Sequence, residues 1–96
     1  METAYYLIVE QQVGERRLRT LDDYSGTDRL VSDAADYEAG EFPGRWVGAL
    51  ELSFDRSGRL TDARPLPGIA DSVHAELRSR AEWRLAQTAL ERWAAR

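Results

Sequence analysis

Ninety-six residues, 43% of them hydrophobic and 31% charged, with three prolines and no cysteine, leave room for one small globular domain around one modest core. That composition excludes disulfide frameworks, thiol nucleophiles and thiolate metal sites, and it is neither disordered nor fibrous in character. The net charge is −4, and all thirteen basic residues are arginine, so there is no lysine amine for Schiff-base or general-base chemistry.

The longest apolar run, Ala4 to Val9, is far too short for a bilayer span. No basic region precedes it, so no signal peptide is expected, and the expectation is a cytoplasmic protein with no membrane partner. Ala4-Tyr5-Tyr6-Leu7-Ile8-Val9 is dense in strand formers, and Gly14-Glu15 fits a two-residue hairpin loop of type II′, with glycine first. That register sets Val13 opposite Arg16, Glu10 opposite Arg19, Val9 opposite Thr20 and Ile8 opposite Leu21, pairs that support one another. Tyr5, Leu7 and Val9 point one way and Tyr6 and Ile8 the other. Both faces of this strand are therefore apolar, which predicts either cover on each side or an exposed face that meets a partner.

From Thr27 to Tyr37 the period changes, and Leu30, Val31, Ala34 and Ala35 suit a short helix capped by Thr27 or Asp28. Pro43, between Gly40 and Gly44, ends it. Trp46, Gly48, Leu50, Leu52 and Phe54 then alternate with Val47, Ala49, Glu51 and Ser53, a strand with one strongly apolar face. Asp55 to Arg59 reads as a three-residue turn with Gly58 in the left-handed position and Leu60 returning beside Phe54. Asp71 is placed to cap a long helix running to about Ala95. On that helix Val73, Leu77, Ala81 and Leu85 drift along one face, while Trp83, Ala86, Leu90, Trp93 and Ala94 lie on another, and one sheet cannot easily cover both. The expected fold class is α+β, a single domain over residues 1–96: an antiparallel sheet of about four strands in two hairpins, with one short helix and one long C-terminal helix.

Charge is unevenly spread. Residues 22–41 carry Asp22, Asp23, Asp28, Asp33, Asp36, Glu38 and Glu41 against Arg29 alone, a local charge of −6, whereas residues 56–96 carry eight arginines against five carboxylates. Few groups suited to catalysis remain. His74 is the single histidine, too few for a zinc site, and Asp71, Ser72 and Ser79 on one helix do not converge as a nucleophilic triad needs. The oxygens from Asp22 to Asp28 break the calcium-loop pattern, because Asp28 stands where glycine is required and Ala34 where glutamate is. Phosphate-loop and dinucleotide glycine spacings are absent, and the C-terminal arginines are offset by Glu76, Glu82 and Glu91, so direct nucleic-acid binding is not expected. Neither a catalytic residue nor a metal or cofactor site is assigned.

Two features carry functional expectations. The acidic residues Asp22, Asp23, Asp28, Asp33, Asp36, Glu38 and Glu41 form a candidate surface for steering onto a basic partner protein, with carboxylates standing in for phosphates. Trp83, Leu90 and Trp93 form a candidate patch for a partner or for self-association into a homodimer. In size, acidity and scarcity of reactive groups the chain resembles small bacterial or phage inhibitors, such as anti-CRISPR and toxin-immunity proteins. That resemblance is one of kind, carried by no shared motif. The leading expectation is a non-enzymatic inhibitor or regulator occupying a basic, nucleic-acid-binding surface of its partner. Its rivals are an assembly module dimerising through the C-terminal helix and, third, a small carboxylate enzyme.

Overall fold

A computed structural model describes residues 2–95. The elements are β1 (Glu2–Val13), β2 (Arg16–Tyr24), α1 (Thr27–Glu38), β3 (Arg45–Phe54), β4 (Leu60–Pro65) and α2 (Ile69–Ala94). They form one antiparallel four-stranded sheet in the order β2-β1-β3-β4, with two helices, which is the α+β class expected.

The first hairpin has the anticipated register, with Val13 opposite Arg16, Glu10 opposite Arg19 and Ile8 opposite Leu21. Gly14 has φ 62° and, among the described residues, no non-glycine residue has positive φ, which is the II′ pattern rather than I′. In the β3–β4 turn Gly58 has φ 83°. There the Asp55 Oδ1 accepts hydrogen bonds from the Ser57 and Arg59 backbone N–H groups and from the Ser57 hydroxyl. Those donors, the Ser57 hydroxyl foremost, hold the Asp55 carboxyl below its usual range.

Leu7, Val9, Leu30, Ala34, Ala35, Ala49 and Val73 are the buried hydrophobic core. It lies between one face of the sheet and α1, with α2 contributing Val73 alone. The alternation in β3 is interrupted. Ile8 pairs with Gly48 but Val9 with Trp46, so Val47 is an extra, bulged residue. The bulge turns Trp46 to the helix side, where its indole N–H donates to Glu38 at 3.1 Å. Leu50, Leu52 and Phe54 pair with Tyr6, Ala4 and Glu2 and so stay on the opposite face. The expected grouping of Trp46 with Leu50, Leu52 and Phe54 is thereby split. The residue of β3 that enters the core is Ala49, opposite Leu7.

Both helices begin earlier than side-chain capping predicts. The N-cap of α1 is Gly26, in extended conformation, and that of α2 is Gly68 at φ 69°, each without a side-chain cap. Asp28 and Asp71 instead sit in the first turns, where a carboxylate faces the positive end of the helix dipole. Between α1 and β3 the chain returns closely over β1. A Cβ on Gly44, at φ 104°, would lie 2.7 Å from the Glu10 carbonyl oxygen, and Gln11 Nε2 donates to the Pro43 carbonyl at 3.0 Å. Only glycine fits there.

Thr27, Asp28 and Val31 border a groove with Ile69, Ser72 and Glu76, and Arg80 reaches Ser32 and Asp36. The two helices therefore run side by side in the same direction. α1 stops after 12 residues and α2 continues for 26, about 39 Å at the usual rise. The result is a molecule 63 × 38 × 18 Å with a radius of gyration of 17.4 Å. A compact chain of this length has about 12–13 Å.

Candidate interaction surfaces

The acidic segment is where α1 is fastened. Asp33 accepts the Tyr24 hydroxyl of β2 at 2.6 Å, Asp36 meets Arg80 of α2 at 2.7 Å, and Glu38 accepts the Trp46 indole of β3. Three carboxylates of one short helix thus tie it to three different elements. Arg80 is the hub of the helix pair. Its guanidinium, with the side chain one-quarter exposed, also meets Glu76 at 3.0 Å and donates to the Ser32 carbonyl and hydroxyl. These charge-assisted bonds, the one to Asp36 foremost, raise the Arg80 pKa further.

Asp22, Asp23, Asp28 and Glu41 make no ion pair or side-chain hydrogen bond among the described residues. Asp22 and Asp23 end edge strand β2 and Asp28 opens α1, so these three share one end of the molecule, while Glu41 lies beyond the far end of α1. The seven acidic positions are therefore not one surface. Burial, and after it the hydrogen bond to the charged Asp33, push the Tyr24 hydroxyl pKa well up. Tyr37, stacked edge-on to Phe42 at 5.1 Å, is raised by burial and then by the Asp22 and Asp33 charges.

The sheet has one face with no helix on it. Cross-strand pairing places Tyr6, Ile8, Leu21, Leu50, Leu52 and Phe54 there, with Leu60 of β4 beside Phe54. Most are half-buried by their neighbours, while Leu21 and Leu60 are exposed. The two-sided apolar pattern of β1 anticipated this face. At one end of it Glu10 bridges Arg19 of β2 at 3.1 Å and Arg45 of β3 at 3.0 Å, with its own side chain only 10% exposed. These bonds, to Arg19 and then to Arg45, hold the Glu10 carboxyl below its usual range. Arg45 as the second partner escaped sequence reasoning, because the bulge sets which β3 residue faces Glu10.

The third surface is the end of α2. After Leu77 and Arg80 every described residue to Ala95 is exposed. Trp83 is 64%, Leu85 72%, Leu90 64% and Trp93 72% exposed. The expected stripe Val73–Leu77–Ala81–Leu85 leaves the core at Leu77, because α1 has ended. Trp83, Leu90 and Trp93, together with Ala86, run along this free arm. Among the described residues no helix is long and apolar enough to cross a membrane, and no group of three or more His, Cys, Asp or Glu is placed to hold a metal ion. Comparison with protein-family models, curated proteins and solved structures finds no match to this chain.

Proposed function

We propose that this protein is a non-enzymatic interaction module whose docking element is the free arm of α2. One observation carries the reading: Trp83, Leu90 and Trp93, on one face of α2, stand 64–72% exposed on turns of helix whose described residues are all exposed. Isolated apolar residues on a surface need no explanation, but a run of this kind is the mark of a docking surface, and tryptophan is enriched at binding hot spots. An arm of 14 residues is also near the limit at which a helix persists alone, so a docked state favours it.

A second reading rests on Asp22, Asp23 and Asp28. These unengaged carboxylates at one end of the molecule suit steering onto a basic protein surface, as an inhibitor that occupies a nucleic-acid-binding site would require. Affinity capture from the source cell separates the two. Retention that survives high salt and is lost in Trp83→Ser/Trp93→Ser supports the arm. Retention lost in salt and in Asp22→Asn/Asp23→Asn/Asp28→Asn supports the acidic end, because attraction between exposed charges is screened. Retention unaffected by both sets of substitutions overturns both.

A further inference from the structure

The apolar stripe on the arm is complementary to its own reverse. Trp83, Ala86, Leu90 and Trp93 are spaced by three, four and three residues, the seam of two heptads. At 100° per residue this seam lies about a third of a turn from the stripe of Ile69, Val73, Leu77 and Arg80 that meets the rest of the fold, so α1 and the sheet do not block it. Read forward the seam runs large, small, large, large; read backward it runs large, large, small, large.

Resting on the reading that the arm is the docking element, we propose that its occupant is a second copy of this chain, packed antiparallel about a two-fold axis beside residue 88. In that register Trp83 meets the partner's Trp93, and Ala86 receives the partner's Leu90, twice over by symmetry. A parallel pair would set Ala86 against the partner's Ala86 between layers of tryptophan and leucine, leaving a void that close-packed interfaces avoid. The seam is flanked by Glu82, Gln87, Ala89 and Ala94, so the antiparallel pair brings no like charges together along it.

The exposed area is commensurate with such a pair. Aromatic side chains present roughly 150–250 Å² each, so two arms with tryptophans and a leucine exposed to this degree bury on the order of 900 Å² together. That is below the roughly 1,200 Å² at which stable specific interfaces begin and in the range of weak, transient ones, so the dimer is expected to be concentration-dependent rather than obligate.

The chain lacks cysteine, so single cysteines report the register without background. Ala86→Cys and Leu90→Cys, both on the exposed arm and outside the core, are oxidised separately and as an equal mixture, alongside sedimentation equilibrium of the unsubstituted chain and of Trp93→Ala. The expected result is a dimer whose dissociation constant rises at least tenfold in Trp93→Ala, with crosslinking in the mixture far above that of either variant alone. Crosslinking of each variant with itself overturns the antiparallel register. A chain that stays monomeric to about 100 μM overturns the second copy as occupant; the capture assay above then reads independently whether the arm takes another partner.

Discussion

Removing residues 82–96 is expected to leave a folded monomer of nearly unchanged stability. Every described residue from Ala81 onward is exposed, and the only side-chain hydrogen bond among them, from the Thr88 hydroxyl to the Arg84 carbonyl, is internal to the arm. What is lost is the small balance of extending an already nucleated helix, under about 1 kcal/mol in total. By contrast Val73 is fully buried, and Val73→Ala removes two methylene equivalents and leaves a cavity, costing about 2 kcal/mol. One residue in the first turns of α2 thus outweighs the whole arm. Urea unfolding measures both. In the truncated chain Trp46 is the sole tryptophan, and its half-buried ring on Glu38 reports the native contact between β3 and α1. Because the arm exposes little new surface on unfolding, the slope of the transition as well as its midpoint is expected to stay close to that of the full chain. The comparison is made at concentrations where the full chain is monomeric. A loss of more than about 2 kcal/mol on truncation, or loss of the cooperative transition, would refute the placement of the core boundary at Leu77 and Arg80.

Other predictions follow from the polar contacts and the loop. Glu10, with its folded pKa lowered by Arg19 and Arg45, contributes stability that is present above the unfolded-state value near 4.5 and is lost as pH falls through the folded value; acid titrations of Glu10→Gln should show a shallower loss of stability over that range than the unsubstituted chain. Tyr24 has the opposite sign: its raised pKa makes its contribution complete below pH 10 and lost above it, so Tyr24→Phe should flatten the alkaline limb of a thermal-denaturation series. Arg80→Ala is expected to cost about 1–2 kcal/mol, and a double-mutant cycle with Asp36→Asn should return a coupling of about 1 kcal/mol; strict additivity would mean the pair does not hold the helices together. Gly44→Ala should cost about 2–4 kcal/mol by denaturation, against about 1 kcal/mol for Gly14→Ala, whose Cβ would meet open space; equal costs would deny the close passage of the loop over β1.

What could be read from the residues was local. Gly14-Glu15 with its flanking pairs specified one hairpin, Asp55 and Gly58 the other, and the change of period at Thr27 the short helix. What could not be read depends on long-range pairing. The bulge at Val47 has no local signature, yet it moves Trp46 across the sheet and sets Arg45 on Glu10. Summing charge over residues 22–41 counts Asp36 as free, when its partner Arg80 is 44 residues away. The two apolar faces of α2 were visible in the spacing, but where cover ends on that helix is decided by the length of α1. Helix formers from Ile69 to Ala94 predict a long helix equally well with or without a neighbour.

The role of the arm is tested most directly by amide hydrogen exchange over residues 82–94 as a function of protein concentration. A docked arm predicts fast exchange at high dilution and protection that rises with concentration in step with the sedimentation data, while the amides of Leu7, Val9 and Leu30 stay protected throughout. Exchange in the arm that is fast at every concentration, or slow at every dilution, would contradict it.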